Sequence, residues 1–197
     1  MIVKKFEQIT KNHPKDSKYG GDWSRPYEYA TVLEELKSIG SNLKVHNACW
    51  GFEGCHVKFK NELEKLYGLE NVVNSDMKES LIPNTHRWNI LLDPPSEWEE
   101  YFDVAMCIST IEEIENFPGA WEVKGGKFHR QVWALHQLTR TVKPGGHVII
   151  TFDYPGLELT QFENFLKHEY KYNKDTALLS DGRHTLSCGL IVLRKAS

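Results

Sequence analysis

A short apolar segment followed by a glycine turn and an amphipathic helix is the feature that most constrains the fold of this chain. Residues 43–49 predict a buried strand, and Gly51 and Gly54 predict a turn after it. Apolar residues then recur at helical spacing over residues 55–67, and Gly68 predicts the end of that helix. This arrangement opens many nucleotide-binding α/β units, because the helix N-terminus offers unpaired N–H groups to a ligand. A turn with two glycines is also typical of an ordinary strand–helix connection, so this alternative stays open.

The composition indicates a soluble globular protein that fits one domain. The 197 residues are 40% hydrophobic and 26% charged, and no run approaches the ~18 apolar residues of a membrane span. The first residues lack the apolar core of a signal peptide, and the four cysteines are scattered through apolar segments. This pattern predicts reduced thiols and a cytoplasmic location. Cys55 and His56 lack a second ligand pair at zinc-site spacing, so no metal is predicted.

The net charge of −3 gives the chain no signature of a polyanion-binding protein. Residues 97–122 contain eight acidic residues and no Lys or Arg, which indicates either a solvated helix face or an acidic border of a site. Such a border would repel the phosphates of a nucleic acid. We therefore expect a small-molecule or saccharide substrate as the partner, with no nucleic acid and no membrane. The sequence does not indicate an oligomeric state.

Apolar runs and amphipathic segments alternate along most of the chain, which predicts an α/β fold with a doubly wound sheet. The predicted strands cover residues 43–49, 71–75, 86–91, 102–109, 147–153, 170–173 and 185–194. The predicted helices cover residues 26–39, 55–67, 96–101, 128–142 and 160–168, with capping-box patterns opening the helices at 96 and 160. Residues 1–22 are polar and aperiodic, which predicts a flexible N-terminal arm before a single domain at residues 23–197. Residues 116–127 predict a loop long enough to act as a lid.

Asp76 follows the second predicted strand, 22 residues after Gly54. An acid about 20 residues after a glycine turn is typical of a group that accepts hydrogen bonds from a ribose diol. Further along, residues 102–114 read FDVAMCISTIEEI and residues 140–151 read RTVKPGGHVIIT. These segments, in this order and with WSRPYEY at residues 23–29, resemble the class I S-adenosylmethionine-dependent methyltransferases. The closest resemblance is to small members found in surface-saccharide or natural-product gene clusters.

The resemblance covers about residues 23–193 and implies a Rossmann-like, mostly parallel seven-stranded sheet with a C-terminal antiparallel pair. It also implies S-adenosyl-L-methionine as the cofactor, bound at the carboxyl ends of the strands. In this site Asp76 would hold the ribose hydroxyls, Met77 would pack on the adenine, and Asn89 would meet the adenine amine.

The resemblance places the remaining cofactor residues around the methionine end. Ile108 and Ser109 would form the floor under the sulfonium, and Arg25 and Tyr27 would close over the carboxylate. Four residues of the glycine turn would line the methionine end and the ribose: Cys49, Trp50, Gly51 and Glu53. Cys49, Ile108 and Met77 fit a core position equally well, and Arg25 fits an ordinary surface cation.

Methyl transfer is an in-line displacement, so much of the catalysis can come from holding the acceptor atom in line. A base is needed only when the acceptor carries a proton at neutral pH. The candidate catalytic bases are Glu113, Asp153 and His129, with Glu112 beside the first of them. Asp153 ends the fifth predicted strand, where the crevice of a doubly wound sheet opens.

Three departures from the family pattern leave a second interpretation open. Asn47 and Cys49 stand where the family usually has Asp and Gly, and Glu113 stands where many members have His. The alternative is a non-catalytic protein that binds S-adenosylmethionine or S-adenosylhomocysteine and has a regulatory or scaffolding role. A nicotinamide-dependent oxidoreductase is disfavoured, because the turn is not GxGxxG.

Overall fold

A computed structural model describes residues 1–20, 23–51, 54–116, 120–154, 156–180 and 185–197. The strands of this part of the chain are β1 (Ile2–Ile9), β2 (Val45–Ala48), β3 (Val72–Asp76), β4 (Thr85–Arg87), β5 (Phe102–Ile108), β6 (Val142–Tyr154), β7 (Leu179–Ser180) and β8 (Thr185–Arg194). The α-helices are α1 (Arg25–Ile39), α2 (Cys55–Tyr67), α3 (Lys127–Arg140) and α4 (Leu159–Leu166). Among the described residues, none of the helices combines the length and hydrophobicity that crossing a bilayer requires.

The strands form a mixed sheet in the order β1-β8-β6-β5-β2-β3-β4, and the short β7 pairs with β8. The five strands from β6 to β4 are parallel, whereas β8 is antiparallel to both β6 and β1. The structure therefore confirms the predicted Rossmann-like, mostly parallel sheet with an antiparallel edge. The strand order reverses between β2 and β5, and ligands of doubly wound sheets bind at the carboxyl ends of strands at such a switch point.

The sheet is covered on both faces, which explains why its central strands are almost continuously apolar. Alternate residues of β5 enter two separate cores: Val104 and Met106 face one, and Ala105 and Cys107 face the other. Buried residues of α1 and α2 belong to the first core, and those of α3 and α4 belong to the second. Because β2 is buried on both faces between β5 and β3, the turn that follows it lies at the centre of the sheet, at the carboxyl ends of the strands.

The prediction of a flexible arm at residues 1–22 is wrong for residues 2–9. These residues form β1, which pairs antiparallel with β8 from Ile2 opposite Arg194 to Ile9 opposite Cys188. Phe6 and Ile9 in this edge strand are buried, one in each core, although Lys and Glu side chains interrupt the apolar pattern of the strand. The pairing partner lies at the other end of the chain, so no local pattern could reveal it.

Several predicted boundaries also differ from the structure. The third predicted strand, at residues 86–91, is only the short β4, Thr85–Arg87. The helix predicted at residues 96–101 is a single 3₁₀ turn, Ser96–Trp98, with Pro95 at its N-cap. The helix predicted at 160–168 is Leu159–Leu166, with Glu158 at its N-cap. The capping boxes therefore did not identify these starts. Residues 170–173, predicted as a strand, contribute an isolated bridge to β1.

The KPGG segment lies inside β6 rather than stopping the chain before it. The register between β5 and β6 shifts here, and Gly145 has a positive φ of 79°. A Cβ on Gly146 would lie 2.6 Å from Val142 Cγ1 and 2.7 Å from the Asp103 carbonyl oxygen. The second glycine is therefore required by close backbone packing at this bulge.

Candidate functional site

A cavity of about 250 Å³ opens at the carboxyl ends of β2, β3 and β5, which is the switch point of the sheet. We call it the crevice. It is lined by Arg25, Cys49, Gly51, His56, Asp76, Met77, Lys78, Ile108, Ser109 and Thr110. Seven of these ten residues are cofactor residues suggested by the sequence. The fold thus brings together residues up to 85 positions apart in the chain, from Arg25 to Thr110.

The glycine turn and the end of β3 meet directly in the crevice. The Gly51 N–H donates to Asp76 Oδ2 at 3.3 Å, and the Lys78 N–H donates to Asp76 Oδ1 at 3.1 Å. Gly51 has a φ of 71°, and a Cβ there would lie 3.0 Å from the His56 ring. A side chain at this position would be strained and would crowd the turn. Glu53, the other acid predicted near the ribose, lies outside the described residues.

Two non-glycine residues that line the crevice have left-handed backbones. Cys49 follows β2 with a φ of 55°, and Ser109 follows β5 with a φ of 40°. Such conformations are costly and concentrate at functional sites. A hydrogen bond to Cys107 and burial raise the pKa of the Cys49 thiol well above its usual range. Cys49 therefore presents a neutral thiol to the crevice and not a nucleophilic thiolate.

The floor of the crevice rests on Glu28, which is fully buried in α1. Its Oε1 accepts hydrogen bonds from the hydroxyls of Ser109 and Thr151, the latter at 2.5 Å, and from Cys188 Sγ at 3.2 Å. Its Oε2 accepts from Ser24 Oγ at 2.8 Å and from Arg25 Nη1 at 2.5 Å. The carboxylate thereby joins α1 to the ends of β5 and β6.

The ion pair between Arg25 and Glu28 is almost entirely removed from solvent, with side-chain exposures of 11% and 0%. Burial alone would raise the pKa of Glu28, but the Arg25 charge and the donating hydroxyls lower it overall. Burial opposes the charge of Arg25 as well, yet the neighbouring Glu28 raises its pKa. Both groups are therefore charged at neutral pH.

Three of the predicted cofactor residues do not line the crevice within the described part of the chain. Trp50 is buried, and its main-chain N–H donates to the Ser75 carbonyl at 3.4 Å. Tyr27 is half-buried, with Lys15 Nζ 5.2 Å from the centre of its ring. Asn89 lines two adjoining cavities of about 520 and 500 Å³. Met77 lines both the crevice and the first of these cavities, so the crevice continues toward Asn89.

None of the three predicted catalytic residues is among those that line the crevice. Asp153 is the penultimate residue of β6, and one oxygen of its carboxylate lies within 4.8 Å of a Glu28 oxygen and of Cys188 Sγ. Glu113 is exposed, and its N–H donates to the Thr110 carbonyl at 2.9 Å. His129 is exposed in the first turn of α3.

Glu112 is better placed for acid–base chemistry than Glu113. It is only 3% exposed, and its Oε1 accepts the Asp153 N–H at 2.7 Å. Its Oε2 is buried and has no hydrogen-bond partner among the described residues. Burial raises the pKa of Glu112 to about 8, and the charges of Asp153 and Glu28 act in the same direction.

The acidic residues at 97–122 are divided between the amino end and the carboxyl end of β5. Glu99 and Glu100 pair with Arg140 and Lys195, and Asp103 pairs with Lys143 at 2.9 Å, all at the amino end of β5. These three acids of the block therefore lie away from the crevice. The acids that follow β5 lie at its carboxyl end, on the side of the crevice.

The sequence matches no protein-family model and no curated protein at a significant level. Solved structures do match. The N-methyltransferase NodS from Bradyrhizobium japonicum, solved with S-adenosylhomocysteine, is 12% identical, with 91% of this chain and 95% of that chain covered and a TM-score of 0.54. A 1,6-didemethyltoxoflavin-N1-methyltransferase from Burkholderia thailandensis is 15% identical, with coverages of 92% and 82% and a TM-score of 0.54.

The chain has the class I methyltransferase fold. The same fold occurs in the cyclase SpnF, which is 10% identical, with coverages of 95% and 89% and a TM-score of 0.58. Identities this low show the fold and leave the chemistry to the residues of the site. In this methyltransferase fold the crevice lies at the switch point of the sheet, which is where the sequence resemblance places the cofactor.

Sequence reasoning missed the buried Glu28 beneath the crevice floor and three residues that line the crevice: His56, Lys78 and Thr110. Glu28 follows Arg25 by three positions on the buried face of α1, and a carboxylate between Pro26 and Tyr29 on an apolar face is the signal that could have revealed it. His56 lines the crevice, and its Nδ1 hydrogen-bonds with the Tyr29 hydroxyl. Its position in the first turn after the glycine turn was interpreted only as half of an incomplete metal site.

Proposed function

We propose that this protein binds S-adenosyl-L-methionine in the crevice and transfers its methyl group to a small molecule or saccharide. The observation that carries the proposal is the convergence of Gly51, Asp76, Ile108 and Ser109 on one cavity. The two methyltransferases of similar fold were both solved with S-adenosylhomocysteine, which supports the choice of cofactor.

The residues of the crevice fit the parts of this cofactor. Each Asp76 oxygen accepts one backbone N–H and has a further lone pair, so the carboxylate can accept hydrogen bonds from both hydroxyls of a ribose diol. Met77 would pack on the adenine, with Asn89 at the far end of the continuous cavities. Trp50 and Tyr27 would complete the site from outside the crevice walls, and Glu53 is proposed as a further cofactor residue from the sequence resemblance alone.

At the other end of the crevice, Ile108 and Ser109 would form the floor beneath the sulfur, and Arg25 would pair with the methionine carboxylate. When bound, the cofactor supplies an electrophilic methyl group on a sulfonium. The main task of the protein is then to orient the acceptor and exclude water. Cys49, held as a neutral thiol, would leave the sulfonium without a competing nucleophile.

An acceptor that carries a proton needs a base at the carboxyl ends of β5 and β6. Asp153, Glu113 and His129 are proposed for this role, and the buried Glu112 joins them. A pKa of about 8 for Glu112 suits proton transfer near neutral pH better than an ordinary carboxylate would. The acids after β5 favour neutral or cationic acceptors and disfavour nucleic acids.

A non-catalytic cofactor-binding role is the second candidate. Asn47 stands where the family has Asp, and its side chain is buried and donates to Asn74 Oδ1 at 2.9 Å. The residue therefore joins β2 to β3 and does not face the crevice as a charged group. The cyclase SpnF has a similar fold, so this fold is not limited to methyltransferases.

Titration calorimetry with S-adenosylmethionine, S-adenosylhomocysteine and NAD tests the cofactor. We expect both adenosyl compounds to bind and NAD to show no heat; NAD binding alone would overturn the proposal. Turnover of the methyl donor against a panel of sugars, small alcohols, amines and acids then separates the two candidates. Binding without turnover across the panel favours the non-catalytic role.

A further inference from the structure

Glu28 joins groups that belong to different elements of the chain. Two of its hydrogen-bond partners, Arg25 from α1 and Ser109 from the end of β5, line the crevice. Ser109 is fixed further by its own N–H, which donates to the Thr151 carbonyl at 3.0 Å. One buried carboxylate therefore contacts both crevice groups and helps to fix their positions.

A buried carboxylate is an expensive way to fill a core position. An apolar side chain at position 28 would pack in the same space without the cost of desolvating a charge. The structure instead satisfies both Glu28 oxygens with five donors, namely Ser24, Arg25, Ser109, Thr151 and Cys188. Such a network fixes geometry and contributes little net stability.

The network also fixes the chemical character of the crevice. The ionised carboxylate only accepts hydrogen bonds, so the Ser109 hydroxyl hydrogen is directed to Glu28 and the Ser109 oxygen is left as an acceptor. The Arg25 guanidinium is a rigid fork of five donors, and its bond to Glu28 through Nη1 sets the plane of that fork. One cation and one oxygen acceptor are thus presented at the same end of the crevice.

We infer that Glu28 is a positioning residue for the amino-acid part of the adenosyl cofactor. It holds the Arg25 guanidinium for the carboxylate and the Ser109 oxygen for the ammonium group of the methionine part. The inference rests on the proposed function and deepens it, because it assigns the recognition of a zwitterion to a residue that itself touches no ligand.

Two ligands that differ only in the amino-acid part test this role. S-adenosylhomocysteine contains this part and 5′-methylthioadenosine lacks it, so the ratio of their affinities isolates its recognition. We expect Glu28→Gln to weaken the binding of S-adenosylhomocysteine about tenfold in calorimetry. The affinity for 5′-methylthioadenosine should stay within about threefold of the wild-type value. In an Arg25→Gln background the same substitution should change the ratio less than in wild type, by about threefold or less, because only Ser109 is left for Glu28 to orient.

Glu34→Gln is the matched control, since Glu34 lies exposed on the same helix. If Glu28→Gln does not fold, Glu28→Asp keeps the charge but withdraws it by one methylene, and the affinity ratio should fall in that variant as well. An equal loss for both ligands, or an unchanged ratio, overturns the inference. Wild-type protein that binds neither ligand overturns the proposed function and the inference with it, whereas wild-type binding with a ratio insensitive to Glu28 overturns the inference alone.

Discussion

The main-chain N–H of Gly51 lies within 3.3 Å of Asp76 Oδ2, so the turn after β2 and the end of β3 meet at one point of the crevice. A glycine turn and a carboxylate on neighbouring parallel strands can then contact the same nucleoside. This relationship is the geometric basis of the proposed cofactor site. It also explains why Gly51 must approach Asp76 without a side chain.

We expect Asp76→Ala to weaken S-adenosylhomocysteine binding at least tenfold, which is about 1.4 kcal/mol. The substitution removes the acceptor for the ribose hydroxyls, and a lost hydrogen bond to a charged group has about this cost. Calorimetry measures the change, with Asp175→Ala as a control because Asp175 is exposed and remote from the crevice lining. An unchanged affinity for the Asp76 variant would exclude the ribose contact.

We expect the buried Glu112 to make stability fall as the pH rises. Its pKa is raised to about 8 in the folded protein, against about 4.3 in an unfolded chain, so between these values the folded state holds the proton more tightly. Its stabilising contribution is therefore complete below pH 4.3 and is lost as the pH rises through 8. Urea unfolding at pH 5 and pH 8 should show wild type losing at least about 1 kcal/mol more than Glu112→Gln. A constant difference between the two proteins would contradict the shifted pKa.

The parts of the fold that were predictable are those specified by local pattern. The apolar run of β5 needs burial on both faces wherever it lies, and the glycines at 51 and 54 break the chain between β2 and α2. Once parallel strands are assumed, their carboxyl ends must share one edge. The meeting of Gly51 with Asp76 follows from that alone.

The parts that failed depend on partners far away in the chain. β1 reads as a polar arm because its strand character comes from pairing with β8, almost the whole chain length away. Glu28 likewise acquires its role only when Ser109, Thr151 and Cys188 surround it. Neither a strand edge nor a buried charge network leaves a periodic signal in the sequence.

We expect Gly189→Ala to destabilise the protein by about 1–3 kcal/mol. Gly189 in β8 pairs with Phe152 in β6, and a Cβ there would overlap the Phe152 ring, with the nearest ring carbon at 2.0 Å. The ring is fully buried, so it cannot move away without disturbing the core. Gly126→Ala is the matched control, because the space around a Cβ at that position is open and φ is −83°. Equal free energies of unfolding for the two variants would show that the ring adapts.

We expect the buried His46 to stay neutral well below its ordinary pKa and to make the protein sensitive to acid. Burial lowers its pKa to about 3, and the charge of His86 acts in the same direction. Its Nε2 lies 2.8 Å from Ser75 Oγ, and its ring stacks on Phe102 with centroids 4.9 Å apart. Because an unfolded histidine titrates near 6.5, its contribution to stability is present above that pH and is lost as the pH falls toward 3.

Proton NMR tests the state of His46 directly. The imidazole signal that disappears in His46→Gln should keep its neutral chemical shift from pH 7.5 to pH 5. Over pH 6.5 to 5 wild type should also lose about 2 kcal/mol of unfolding free energy relative to His46→Gln, which has no titrating group at this position. A midpoint near pH 6.5 for that signal would mean that water reaches the ring. The core between the sheet and the 3₁₀ turn at Ser96–Trp98, where His46 packs against Trp98, would then be open to solvent.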